Sequence, residues 1–206
     1  MKKLWGFSLS ELMIALLVLG ILSAVTVPAI NKRQVSKNKI FIKKAYYTTA
    51  EVISELINDD KIYADATGLC PTTGESGYVG FDCPGTNGQS TTDKFVVNFA
   101  DYLNIIGEID SSSPSYRFAT NDMMMWYFPK SGCFETKGNV NNPCSITIDV
   151  DGDSRGDNEK QPSSSSKTEG FDQFSINIYA DGRMEIPEEQ TWAKDAIQIS
   201  SSLTKN

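Results

Sequence analysis

From Leu12 to Asn31 the chain carries no charged side chain. A helix rises about 1.5 Å per residue, so this run is long enough to cross a hydrocarbon core of roughly 30 Å. No other stretch constrains the fold as strongly. A helix apolar on every face must be surrounded by lipid or by other apolar helices. Glu11 stands at the start of the run, where a carboxylate is costly in lipid and marks a functional position. Gly20 and Pro28 both weaken helical hydrogen bonding. A kink or melted turn is therefore expected over residues 20–28.

The run is preceded by Met1-Lys2-Lys3-Leu4-Trp5-Gly6, a short basic leader. Lysines at this end stay cytoplasmic, which sends the C-terminal part of the chain across the membrane. Gly6, then Phe7-Ser8-Leu9-Ser10-Glu11-Leu12, an apolar helix and Pro28 together resemble the type IV prepilin signal. The resemblance covers about the first thirty residues. It implies cleavage between Gly6 and Phe7 by a prepilin peptidase and methylation of the new N-terminal residue. Glu11 then becomes the fifth mature residue and Pro28 the twenty-second, both positions that this family uses. It also implies an inner-membrane precursor, an assembly platform in that membrane, and identical or related pilin subunits as partners in an extracellular filament. In such a filament Glu11 is expected to meet the N-terminal amine of Phe7 on a neighbouring subunit. Wrong axial registers would leave the carboxylate unpaired, at a cost of several kcal/mol.

Two plainer readings compete. A secretory signal would be cut after Ala24 or Ala29, but Leu22 is large for the third position before a cut at Ala24, and Glu11 interrupts the apolar region. A plain membrane anchor accounts for the length of the run but not for Gly6, Glu11 and Pro28.

Beyond the leader and the span, roughly 170 residues remain, enough for one domain with its own core. The 206 residues carry 19 basic and 26 acidic side chains, a formal charge of −7; without Lys2 and Lys3 the balance is 17 against 26, or −9. That disfavours nucleic acid as a partner. Lys32, Arg33, Lys37, Lys39, Lys43 and Lys44 cluster just past the span and read as a solvated helix face. The chain has no histidine, which excludes histidine acid–base chemistry and histidine-ligated zinc. Its four cysteines, Cys70, Cys83, Cys133 and Cys144, all follow the span and form no C-x-x-C pair. In an exported chain they imply disulfides. Three pairings exist; the short gaps favour Cys70–Cys83 and Cys133–Cys144.

The pattern after the span predicts an α+β head. Ile42, Ala45, Thr49, Val52 or Ile53, and Leu56 recur at helical spacing, so the helix is expected to continue to Asn58, about 78 Å from Phe7. Packing of its second half on an antiparallel sheet is what the pilin resemblance implies. The domain division expected is leader 1–6, assembly helix 7–30, and head 31–206. Residues 59–92 read as a long glycine- and proline-punctuated loop, a candidate contact surface. A helix is expected over 93–106, opening at Thr92-Asp93 and capped by Gly107. Tyr116–Thr120 and Met123–Phe128 read as a hairpin with Asn121-Asp122 as a two-residue turn, the second strand a continuous buried run. Ser145–Val150 and Phe174–Tyr179 are further strands, Asp181-Gly182 a turn, Pro162–Lys167 a serine-rich loop, and Pro187–Ile197 a last helix before a loose polar tail.

Asp149, Asp151, Asp153, Asp157, Asn158 and Glu159 fall within one short stretch. Dense oxygen ligands suit calcium. An EF-hand is excluded, since Ser154 and Lys160 occupy its glycine and glutamate places. Residues 144–187 resemble a turn-and-strand signature in the heads of some minor pilin-like proteins, and some related secretion pseudopilins hold calcium in a sheet loop. The set Asp149, Asp151, Asp153 and Asp157 is thus a calcium candidate, against a solvated Asp-Gly turn. No other cofactor is expected.

The function expected is a structural subunit of a type IV filament, serving adhesion, motility, DNA uptake or secretion. A pseudopilin of a type II secretion system shares the same N-terminus. A membrane-anchored surface enzyme is a distant third, since no nucleophile–base set is visible, and no catalytic residue is assigned.

Overall fold

The computed structural model describes residues 9–112, 114–153 and 171–202, apart from the side chains of 28–36 and 199–202. It divides into two compact units, Met1–Lys37 and Asn38–Asn206. Helix α1 (Leu9–Ile57) contributes to both. The second unit adds α2 (Thr91–Tyr102), a six-stranded sheet and α3 (Thr191–Ser202). The strands are β1 (Ile105–Asp110), β2 (Ser115–Thr120), β3 (Met125–Pro129), β4 (Cys144–Asp149), β5 (Gln173–Ile178) and β6 (Met184–Glu185). Their spatial order is their chain order, and each pairs antiparallel with the next. The fold is the α+β arrangement expected: a long N-terminal apolar helix and an open antiparallel sheet.

The first unit contains the apolar span, Leu9–Val27. Helix α1 continues through Gly20 and Pro28, so the melted turn expected over 20–28 is absent. One proline removes one bond from the ladder, and the bonds on either side hold the register. Thr26 adds a hydroxyl bond to the Leu22 carbonyl at 2.9 Å.

In the second unit the helical stripe is buried as its spacing dictates: Ile42, Ala45, Thr49, Val52, Ile53 and Leu56 are all within the core. They meet alternate residues of the sheet, including Phe118, Trp126, Phe128, Ile146, Ile148, Phe174 and Ile176. A chain of ring contacts crosses this core. Tyr63 meets Phe81 at 4.9 Å between centroids, Phe81 meets Phe95 at 5.1 Å, Phe95 meets Phe134 at 5.1 Å, and Phe99 meets Phe128 at 5.2 Å. Aromatic contacts of this kind add about 0.5–1.5 kcal/mol each beyond area burial.

Three expectations are corrected. Helix α2 does not run over 93–106. It starts at Thr91, where the Ser90 hydroxyl accepts the Asp93 amide at 3.0 Å, and ends at Tyr102 as Leu103 turns extended. Residues 105–110 pair with β2 instead. Ile105, Ile106 and Ile109 are β-branched and suit a pleated surface. Gly107 is no cap: at φ 77° it sits where the β1–β2 register shifts between Ile106 and Asp110. The hairpin turn is also longer than two residues. A type I′ turn needs positive φ at both central positions, whereas here only Met123 adopts it, and the Thr120 amide donates to the Met124 carbonyl. Strand β3 therefore begins at Met125 and alternates: Trp126 and Phe128 are buried, Met125 and Tyr127 half-buried. Finally, α3 starts at Thr191, after a Pro187–Gln190 turn, and continues to Ser202 into the expected tail. The serine-rich segment Pro162–Lys167 lies outside the described residues.

The long loop is tied down from inside. Lys94 on α2 is buried, and its ammonium donates to the carbonyls of Cys83 and Pro84, both at 3.1 Å, and of Ile62. It also stands 4.8 Å from the Tyr63 ring centre. Burial pushes the Lys94 ammonium down to about 8. Below that pH both folded and unfolded chains hold the proton, and burying the charge is a fixed cost. Above it the unfolded chain holds the proton more tightly, so this group makes stability rise with pH up to the usual lysine value of about 10.4. We expect urea melts to show that rise between about pH 8 and 10, and Lys94→Met to flatten it. Equal slopes in both proteins would contradict the assignment.

Candidate assembly helix and head loops

Helix residues Leu9–Val27, 19 in all, are long and apolar enough to cross a membrane, and none of them is buried. Leu9, Ile14, Leu17, Ile21 and Val25 are each more than half exposed. Glu11 lies in the first turn of α1 and is the one ionisable side chain between Leu9 and Val27. A carboxylate there complements the positive end of the helix dipole. Gly6 and Phe7, the expected cleavage residues, lie outside the described residues, as does the Pro28 side chain; the Pro28 backbone is helical.

Both disulfides join the cysteines that the short gaps favour, Cys70 to Cys83 and Cys133 to Cys144. All four cysteines are buried. The first clasp closes the segment after α1. Within it Thr72 donates its hydroxyl to the Pro84 carbonyl at 2.5 Å, and the buried Asp82 carboxylate accepts the amides of Val79 and Gly138. Burial raises the Asp82 carboxyl above the usual carboxylate range, while those amides pull it back. The second clasp is held against α2: the Thr91 hydroxyl donates to the Cys133 carbonyl at 2.6 Å, and the Cys133 amide donates to the Thr92 hydroxyl at 3.2 Å. The Thr91-Thr92 pair thus serves both as the first turn of α2 and as the anchor of the loop after β3.

The acidic turn has a mixed geometry. Asp149 is fully buried. Its Oδ1 accepts the Gly152 amide at 2.8 Å and the Asp151 amide at 3.2 Å, and its Oδ2 accepts Gln173 Nε2 at 3.1 Å. Gly152 at φ 83° closes the turn, and a Cβ there would fall 2.7 Å from the Met123 carbonyl oxygen. Asp153 accepts the Tyr127 hydroxyl and lies 3.9 Å from Arg117 Nη1. Asp110 in turn takes Arg117 Nε at 2.7 Å. The Ser112 hydroxyl and amide, with that guanidinium, hold the Asp110 carboxyl well below the usual range. Among the described residues no three His, Cys, Asp or Glu side chains converge to hold a metal ion; Asp157, the fourth of the calcium set, lies outside them. Asp149 is therefore tied to its own turn and to Gln173.

Lys94 and Asp82 were invisible as structural hubs in the sequence. Their partners are backbone groups, which carry no side-chain signal. Only the oddity of a lone cation among Phe95, Val96 and Phe99 marks Lys94.

No family model, curated protein or solved structure matches this chain.

Replacing Asp149 by Ala should strand two turn amides and Gln173 in the interior. We expect a loss of about 1–3 kcal/mol in equilibrium denaturation. Losing Cys70–Cys83 through the double serine variant should cost about 2–4 kcal/mol. A loss below about 0.5 kcal/mol in either case would show that the contact is incidental.

Proposed function

We propose that this chain is a pilin-like structural subunit that polymerises through its N-terminal helix into an extracellular type IV filament. The observation that carries the reading is the helix itself: an apolar segment, unburied along Leu9–Val27, on a chain whose second unit has its own core. Such a segment is stable only in lipid or among like helices. The basic leader, Gly6, Phe7, Glu11 and Pro28 add the processing and assembly features of the prepilin signal. On this reading a prepilin peptidase removes residues 1–6, the precursor spans the bacterial inner membrane once, and an assembly platform there delivers it to other pilin subunits. The head stays outside the cytoplasm, where its disulfides persist. The function is structural and not enzymatic.

Glu11 sets the axial register. In a packed core of apolar helices, the amine of Phe7 on a neighbour is the cation placed to meet it. A shifted register separates the two charges in a low-dielectric medium, which costs several kcal/mol.

Intact mass of the exported protein tests the processing step. The expected mass lacks Met1–Gly6 and gains one methyl group; a retained leader, or a cut near Ala24 or Ala29, refutes it. Sheared filament preparations test assembly. Glu11→Ala should greatly reduce the protein recovered in filaments while the head melts as in wild type, because Glu11 belongs to the unit outside the head core. Recovery equal to wild type would remove the register role.

A further inference from the structure

The sheet has a break that its strand order does not require. Strands β2 and β3 stay paired to Ser115 and Pro129, and β4 and β5 stay paired to Cys144 and Ile178. Between them, β3 and β4 are paired only from Met125–Asp149 to Tyr127–Thr147. Pro129 explains the break. A residue pair that exchanges both backbone bonds needs two N–H groups, so Ser115–Pro129 is a non-hydrogen-bonded pair. The backbone of Pro129 consequently faces β4, where it has no N–H to offer the Ser145 carbonyl. The ladder ends, and a notch opens between the strands. It forms a groove of about 400 Å³, lined by Ser115, Tyr127, Phe128, Pro129, Ser145, Thr147 and Gln173.

The chemistry of this groove is uniform. Its lining has three hydroxyl residues, one amide, one phenol ring, a proline and the backbone of the buried Phe128, and no charged side chain. Several of these groups are held in place. The Tyr127 hydroxyl donates to Asp153, which anchors the ring. Thr147 and Ser175 hydroxyls lie 3.1 Å apart, and the Gln173 amide nitrogen is fixed on Asp149 at 3.1 Å. Ser145 is exposed and has no β3 partner in the ladder, so its backbone edge adds polar groups to the wall. A flat ring beside proline offers an apolar platform, and the surrounding hydroxyl, amide and backbone groups offer hydrogen bonds in several directions.

We propose that the notch between β3 and β4 binds an uncharged carbohydrate. A sugar presents an apolar C–H face to stack on a ring and a rim of hydroxyls that both donate and accept. An anionic ligand would find no cation in the lining. An extended peptide would need a row of backbone partners, and the notch exposes only the short edge at Ser145. The groove volume lies within the range of small-ligand sites, and fixed side chains lower the entropy cost of binding. The site lies wholly in the Asn38–Asn206 unit and stands apart from the filament reading.

The test uses the full chain in a zwitterionic detergent that carries no sugar. Lactose, maltose and N,N′-diacetylchitobiose are the probes, sialyllactose is the anionic counterpart, and saturation-transfer NMR and isothermal titration are the readouts. We expect saturable binding of at least one neutral disaccharide, with sialyllactose no tighter than lactose. Tyr127→Ala removes the platform, and Ser145→Lys fills the notch from an exposed position without touching the core. Each should weaken binding about tenfold or more. The wild-type titration decides by itself if a variant fails to fold. No saturable binding of any neutral probe, tighter binding of sialyllactose than of lactose, or unchanged affinity in a folded variant would overturn the proposal.

Discussion

Burial of one stripe of α1 against the sheet is the contact on which the head depends. Ile42, Ala45, Val52, Ile53 and Leu56 supply its apolar surface, and a fully buried aliphatic side chain contributes about 1.5–3 kcal/mol. Thr49 lies in the middle of the stripe with its hydroxyl satisfied by the Ala45 carbonyl at 2.8 Å, so the stripe holds no unmet polar group there. The same helix has no such stripe between Leu9 and Val27, where apolar side chains face every direction. One secondary-structure element thus carries two kinds of hydrophobicity. The amphipathic kind builds a core within one chain. The all-round kind calls for a medium that the chain does not provide.

The aromatic chain from Tyr63 to Phe128 extends that core into segments that have little regular structure. Phe81 and Phe134 sit in loops, yet both are fully buried and share contacts with Phe95. Each loop is then closed by a disulfide near its aromatic anchor, Cys83 beside Phe81 and Cys133 beside Phe134. Ring burial and covalent closure therefore act on the same points. Lys94 and the Thr91-Thr92 hydroxyls complete the attachment by meeting loop carbonyls, so α2 serves as the post to which both loops are tied.

What could be read in the sequence followed from period and from cysteine spacing. The stripe on α1 repeats strictly enough to identify its apolar members, with Val52 and Ile53 both buried where one was expected and Asn38 buried without a signal, and short cysteine gaps picked the two pairs that form. The strand read over Ser145–Val150, which is β4, and the Asp181-Gly182 turn were legible because alternation and turn residues agree there. The α2–β1 boundary was not. Tyr102, Leu103 and Ile106 happen to fall at helical spacing, and only pairing with β2 selects the extended form. The Met123 turn was missed because positive φ at a methionine has no local signature; it is imposed by the strands on either side. In the acidic stretch the sequence shows the density of carboxylates but not their direction. Asp149 turns inward to its own backbone, and Asp153 turns toward Tyr127 and Arg117.

The order of the strands leaves two outer edges, β1 and β6, and both are unsuited to further pairing. Strand β1 is interrupted at Gly107, where the register shifts, and β6 has only two residues. Past the end of β6, the exposed side of β5 is closed by Gln190, whose side-chain oxygen accepts the Ser175 amide at 2.7 Å. Edges that are bulged, short or capped resist the strand-to-strand stacking that leads to amyloid. In the proposed filament, where copies of the chain would crowd together, this matters for more than solubility. The sheet is barred from recruiting neighbours, so any ordered self-association is left to other surfaces.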